Sequence, residues 1–140
     1  MRILVDTNIF LDFFLPNAEF QGLAKDLFLY CRRSRSQIYV SATTLRDVGY
    51  IAKRRLHDEE KGRYIQREVY SICTKIVSVS ADAAITALYD GNPDYEDSLI
   101  MEAAEEAGCD CIVTRNAAHF ANSPVPAFDI RDFLDYVHAA

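Results

Sequence analysis

Residues 3–8 read Ile-Leu-Val-Asp-Thr-Asn, and residues 9–16 continue Ile-Phe-Leu-Asp-Phe-Phe-Leu-Pro. Three apolar residues in a row, without polar alternation, predict a short strand buried on both faces. An acid, a hydroxyl and an amide follow at once. Phe10, Leu11, Phe13 and Phe14 then fall at helical spacing until Pro16 ends the helix. A buried strand that runs into a helix through a polar junction is the opening unit of a parallel α/β sheet.

The rest of the chain repeats that unit. Phe20, Leu23, Ala24, Leu27, Phe28 and Cys31 recur at helical spacing, and residues 37–41 form a second strand. Thr43 or Thr44 is a candidate cap for a helix whose apolar stripe is Leu45, Val48, Ile51, Ala52 and Leu56. Another helix covers 58–73, and a strand at 76–79 leads through Ser80 into a helix over 81–89 that Gly91 closes. A helix over 94–107 stops at Gly108, and a strand at 109–114 follows. After the turn at 123–126, a short edge strand leads into a last helix through Phe133, Leu134 and Val137. The alternation predicts an α/β fold with a parallel sheet covered on both faces, organised as one domain over 1–140.

Half of the residues are hydrophobic and 26% charged, the balance of a globular protein. No signal-peptide pattern or spanning-length apolar run is present, so a cytoplasmic protein without membrane attachment is expected. Cys31, Cys73, Cys109 and Cys111 show no metal spacing and read as small buried thiols. The net charge of −6 argues against a general polyanion binder, yet the charge is unevenly spread. Residues 1–75 carry 13 Lys or Arg against 9 Asp or Glu, whereas residues 76–140 carry 2 against 12. One face is thereby fitted to phosphates and another to cations.

In open α/β sheets, ligands bind beyond the carboxyl ends of the strands. Asp6, Thr7 and Asn8 follow the first strand, Ser41 the second, and Thr114, Arg115 and Asn116 the fourth. Asp47 falls in the first turn or so of the helix after Ser41, and Asp94 and Asp97 open the helix before Cys109. Asp94 and Asp97, three residues apart, share one side of that helix, and Asp97 borders the apolar stripe. Carboxylates pressed together at a core boundary repel unless protons or a cation neutralise them, and a divalent metal is the simplest neutraliser. An oxygen-only donor set suits Mg²⁺ or Mn²⁺, which can acidify a water and stabilise charge on a phosphodiester.

The run ILVDTNIFLD, the segment VSATTLRDV, the segment DYEDSLIMEAAEEAGCDCIVTRN and the following HF together resemble the PIN domain, in order and spacing, over essentially the whole chain. That resemblance implies a three-layer α/β/α sandwich with a central parallel sheet and an acid cluster that binds Mg²⁺ or Mn²⁺ and hydrolyses RNA phosphodiesters. It places Asp6, Asp47 and Asp97 as the metal-binding acids, Asp94 as the accessory acid and Asn116 where many members carry a fourth. Many small single-domain bacterial members are VapC-like toxins, so the implied partners are RNA, a cognate antitoxin and, as a further option, a second copy of the chain. Two positions depart from the pattern. The second acid is commonly Glu, so Asp47 is one methylene shorter and reaches a metal less directly. Asn116 removes one negative charge, although a subgroup of PIN-like proteins carries TRN followed by phenylalanine.

Each position also has a plainer reading. Asp6 and Asp94 suit helix capping, and Asp97 suits a helix start on dipole grounds. Asp47 suits a surface pair with Arg46 or Arg54. Thr7, Asn8, Ser41 and Thr114 suit loop and carboxylate hydrogen bonds. Arg115 is either a phosphate ligand or a counter-ion. His119 offers a metal-free route of RNA cleavage by acid–base chemistry, but a surface position is expected for His57, His119 and His138 alike. Arg32, Arg33 and Arg35, with Lys53, Arg54, Arg55, Lys61, Arg63 and Arg67, are candidates for RNA backbone contacts or solvated helix ends. Tyr50, Tyr64 and Tyr70 lie among them, as stacking platforms for bases or as packing residues. A phosphoreceiver domain would need a lysine near the last strand, a haloacid-dehalogenase-like phosphatase an acid in place of Asn8, and a dinucleotide fold a glycine-rich first turn. The serious alternative is a PIN-like domain that binds RNA or protein without cutting.

Overall fold

Strand side chains alternate between two faces, and here both faces are dry. Ile3, Val5, Ile38, Val40, Cys111 and Val113 enter one buried cluster, and Leu4, Tyr39 and Ile112 enter the other. That is why the strands read as unbroken apolar runs. The computed structural model describes residues 1–16 and 19–139. Five strands, β1 (Arg2–Val5), β2 (Gln37–Ser41), β3 (Lys75–Val77), β4 (Cys111–Thr114) and β5 (Ala127–Asp129), pair in the order β3-β2-β1-β4-β5. Every pairing is parallel, with Leu4 beside Tyr39 and Ile112, and Thr114 beside Asp129.

Among the described residues, seven helices complete a three-layer sandwich. α1 (Thr7–Phe14), α2 (Gln21–Ser34), α3 (Ala42–Leu56), α4 (Glu59–Ile72) and α7 (Ile130–Ala139) supply the cluster that contains Phe10, Leu27, Val48, Val69 and Phe133. On the opposite face α6 (Tyr95–Glu106) buries Ile100, Met101, Ala103 and Ala104, together with Phe120 of a 3₁₀ turn at Ala117–Phe120, and α5 (Ala81–Tyr89) packs beside α6. No helix among the described residues is long and apolar enough to cross a membrane.

The strand order places β1 between β2 and β4, so the chain reverses its direction of travel across the sheet between β1 and β4. A crevice opens at the carboxyl ends of the strands at such a point. α1 and α3 begin there on one face. α6 is a crossover helix, so it runs antiparallel to the strands and its N-terminus returns to the same edge.

Local details refine the sequence reading. Ser41, rather than Thr43 or Thr44, caps α3: its Oγ accepts from the Thr44 amide at 3.0 Å. Asp47 is the sixth residue of α3, a turn further in than expected. The strand expected at 76–79 ends at Val77, and the one expected from 109 starts at Cys111, because the Cys109 amide bonds back to the Ala104 carbonyl at the end of α6. Cys31, Cys109 and Cys111 are buried and Cys73 is half-buried, all as free thiols.

α3 and α4 form an antiparallel hairpin in which glycine governs the approach. A Cβ on Gly62 would lie 2.8 Å from Lys53 Cβ and 2.9 Å from the Gly49 carbonyl oxygen, which is backbone and cannot swing away. Gly62→Ala is therefore expected to destabilise the fold by about 1–3 kcal/mol through overpacking. Gly22 has nothing within 4 Å of its Cβ position, and Gly22→Ala should stabilise by about 0.4–1 kcal/mol by restricting the unfolded chain. Urea unfolding of the two variants should move the midpoints in opposite directions.

Candidate active site

The carboxyl edge of the sheet opens into a cleft of about 560 Å³, whose walls include Asp6, Asp47, Asp94, Asp97, Asn116 and His119. Thr7, Asn8, Thr43, Arg46, Tyr50 and Glu96 also reach it. Four of the five residues expected to form the site are acids, and all five line this one cleft. A larger groove of about 830 Å³ lies at the opposite, amino end of β2, between Phe13, Phe28, Leu29 and Ile72, and its walls hold no carboxylate.

Asp6 is the most constrained of the acids, with 6% of its surface exposed. Oδ1 caps α1 by accepting from the Thr7 amide at 2.8 Å, and Oδ2 accepts from Thr114 Oγ1 at 2.7 Å. Capping and site membership thus coexist. Burial pushes its carboxyl pKa up, an effect opposed by the Thr114 and Thr7 hydrogen bonds and by the charge of Arg115. Thr114 is fully buried and also accepts from the Asn116 amide at 3.1 Å, so one hydroxyl fixes both Asp6 and the turn that presents Asn116. A second hydroxyl network joins the starts of α1 and α3: Thr7 Oγ1 and Ser41 Oγ both donate to Thr44 Oγ1, at 3.1 and 3.2 Å.

Across the cleft, Asp94 caps α6 by accepting from the Asp97 amide at 3.1 Å. The preceding loop is tied down, since Asn92 Oδ1 accepts from the Asp94 amide and Asn92 Nδ2 donates to the His119 carbonyl at 3.1 Å. Asp97 has a side chain 17% exposed, and His119 Nδ1 stands 3.5 Å from its Oδ2. Burial, then the negative charges of Asp94 and Asp6, raise its pKa to about 6, with His119 pulling the other way. Asp47 is also raised, by burial and then by Glu96, while Arg46 opposes from 3.5 Å.

Glu96 and Arg46 are members of the cleft that the sequence does not single out, and His119 has the surface position expected of it. His119 is exposed, yet it is in the cleft against Asp97. The triplet Asp97, Asn116 and His119 converges through α6 and the 3₁₀ turn, and spacing along the chain carries no trace of that. Arg115 resolves the other way. Its Nε lies 2.9 Å from Oδ2 of Asp12, which is 3% exposed, and its guanidinium sits 4.4 Å from the Phe20 ring centre. It pairs with a buried acid, the arrangement that the counter-ion reading expects.

Among the described residues, no three His, Cys, Asp or Glu side chains stand close enough to form a ready-made metal cage. The donors are nevertheless oxygens, and burial first, with neighbouring carboxylates second, raises Asp47 and Asp97 against the opposing charges of Arg46 and His119. This chemistry fits a hard divalent ion that keeps several waters and takes one or two carboxylates, and it does not fit a soft or fully encaged metal.

The model of the PIN domain family matches residues 2–118. No curated protein matches the chain. Among solved structures, similar chains come from FitAB bound to an IR36 DNA fragment, with TM-score 0.70 and 17% identity over 91% of this chain and 94% of that one. VapBC2 from Rickettsia felis, bound to a DNA fragment from its promoter, gives TM-score 0.68 and 17% identity over 92% and 100%. Mycobacterium tuberculosis VapC20, a Sarcin-Ricin loop cleaving toxin, gives TM-score 0.60 and 17% identity over 79% and 86%. At these identities the likeness is one of fold.

The raised Asp97 carboxyl has a consequence for stability that can be measured. Asp97 binds its proton in the fold with a pKa near 6 and in the unfolded chain near 3.8, so between those values the folded state holds more protons. Stability in EDTA should accordingly rise as pH falls from above 6 toward 4, and the gain should be complete below the unfolded value. Asp97→Asn should be more stable than the parent at neutral pH and show a flatter Tm profile; parallel profiles would remove Asp97 as the source of the effect.

Proposed function

Because this chain belongs to the PIN domain family, matched over residues 2–118, we propose that it is a Mg²⁺- or Mn²⁺-dependent endoribonuclease that acts as the toxin of a toxin–antitoxin pair. The observation that carries the reading is the convergence of Asp6, Asp47, Asp94 and Asp97 on one cleft at the switch point of the sheet. The antitoxin partner is supported by a toxin–antitoxin complex among the structures of like fold, and cleavage by the Sarcin-Ricin loop cleaving toxin among them.

In this reading Asp6, Asp97 and Asp47 hold the ion, and Asp94 and Asn116 support it. When bound, the ion supplies a water of lowered pKa and a positive charge for the phosphodiester oxygens. The chain's own groups set the stage for both. Thr114 and the Thr7 amide hold the Asp6 carboxylate in a single orientation, and Asp94 fixes the first turn of α6 so that Asp97 faces the cleft. His119 restrains Asp97 and is a group in the cleft that can deliver a proton to the departing oxygen. Thr7 and Asn8 line the cleft at the start of α1, whose N-terminal dipole favours an incoming phosphate, while the buried Ser41 caps α3 and shares Thr44 with Thr7. The shorter Asp47, in the second turn of α3 and paired with Arg46, acts through a water.

One observation favours the alternative of a PIN-like domain that binds RNA or protein without cutting: the described acids do not close into a cage. Purified protein should be assayed on a panel of structured and single-stranded RNAs in Mn²⁺, Mg²⁺ and EDTA, beside Asp97→Asn. The expected outcome is cleavage in either metal, none in EDTA, and a loss in the variant exceeding the roughly 10–100-fold caused by removing an outer contact at a metal site. A folded parent that cuts nothing in any metal would transfer the assignment to the binding module.

A further inference from the structure

The acid cleft does not end at the acids. Arg46 and Tyr50 line both the cleft and a neighbouring depression of about 300 Å³ that lies over Gly49, between Lys53 and Arg63. Arg63 is shared in turn with a third depression, which extends to Tyr64 and Arg67. The three form a continuous strip along the α3–α4 hairpin. Its floor follows from the close approach at Gly62 and from Gln66 Nε2, which donates to the Leu45 carbonyl at 2.9 Å.

The strip is polar and mainly cationic. Arg46, Lys53, Lys61, Arg63 and Arg67 line its two outer depressions against Asp58, Glu59 and Glu60. Asp58 is engaged as the cap of α4, accepting from the amides of Glu60 and Lys61. At the junction with the cleft stands Tyr50, half exposed. Its hydroxyl accepts from Arg54 Nη1 at 2.9 Å, while Lys53 Nζ and Arg54 Cζ lie 5.7 and 5.6 Å from its ring centre. The ring is thus held in place beside the acids, which lowers the ordering cost of any stacked partner. Cations interleaved with exposed aromatic rings, leading out of a phosphodiester-cleaving site, have the chemistry of a single-strand track. A protein partner would call for a more apolar centre than these walls offer.

We propose that this strip guides single-stranded RNA into the cleft, with a base next to the cleaved phosphate stacked on Tyr50 and the departing backbone met by Arg63 and Arg67. The identity of the polymer rests on the nuclease reading; the path and the stacking residue rest on the strip itself. Unpaired bases are required, because only they expose a face to Tyr50.

The test uses Asp97→Asn protein as a background that does not consume its ligand, with a labelled single-stranded RNA of mixed sequence and its duplex, read by fluorescence anisotropy over a salt series. Tyr50→Ala is expected to weaken single-strand binding roughly ten- to hundredfold, and Tyr50→Phe to restore it. Arg63→Gln with Arg67→Gln should lower the log–log salt slope by about 0.7 for each cation removed. Melting profiles and the Phe rescue separate loss of stacking from loss of fold. Single-strand binding within about twofold of the background for Tyr50→Ala, equal or tighter binding of duplex, or no RNA binding at all overturns the path. In the first case an unchanged salt slope as well would assign the strip to a protein partner. Cleavage by the parent is scored separately: cutting with an insensitive Tyr50 rejects the path and keeps the nuclease, whereas Tyr50-dependent binding without cutting keeps the path and rejects the nuclease.

Discussion

The carboxylate of Asp6 lies where β1 ends, almost out of contact with water, and the Thr114 hydroxyl 2.7 Å away makes that position tolerable. A buried acid without such a partner forfeits its hydration for nothing, at a cost of several kcal/mol that few folds of this size can absorb. The bond joins residues 108 positions apart, and it forms only because β1 and β4 are neighbours in register, Val5 beside Val113. The same hydroxyl accepts from the Asn116 amide, so the turn after β4 takes its shape from the requirement that Asp6 be satisfied. Site geometry and strand order are one constraint seen at two scales.

Charge is distributed along the same axis. The acids of the cleft come chiefly from the loop before α6 and its first turn, in the half of the chain where acids outnumber bases 12 to 2. The cations lie on α3 and α4, in the half where Lys and Arg prevail. Because α6 covers one face of the sheet and α3 the other, these opposite surpluses meet at the carboxyl edge instead of cancelling through the core. A cleft placed at such a boundary can attract a cation on one wall and a polyanion on the other. The modest net charge of −6 hides this division.

The legible part of this structure is the part governed by short-range pattern. Strand residues buried on both faces leave unbroken apolar runs, and helix stripes leave 3.6-residue spacing, so the alternating layers could be read along the chain. The sequence Ser41-Ala42-Thr43-Thr44 offers three hydroxyls as caps, and only the path of the strand decides that the first is used. Arg115 and Asp12 lie 103 positions apart, and nothing local marks them as partners. His119 was assigned to open surface because a 3₁₀ turn has no periodic signature, while Asn92, whose amide fastens that turn, sits in a loop defined by its own Asx bonds. That Asp6, Asp94 and Asp97 share one cleft is legible because strand ends and helix starts meet at the carboxyl edge, where topology and not periodicity brings side chains together.

Strand order also has a temporal side. β1 precedes the other described strands along the chain, but one of its two neighbours, β4, begins at Cys111. Parallel pairing over such a separation carries a large loop-closure cost and is slow to form. On a ribosome, the segment bearing Asp6 therefore leaves the tunnel long before Thr114 exists to receive its carboxylate. A product that stops short of β4 holds the acids of α1, α3 and α6 without the strand that orients the first of them. Assembly of the cleft in this sense waits on the synthesis of β4, by topology and not by local sequence.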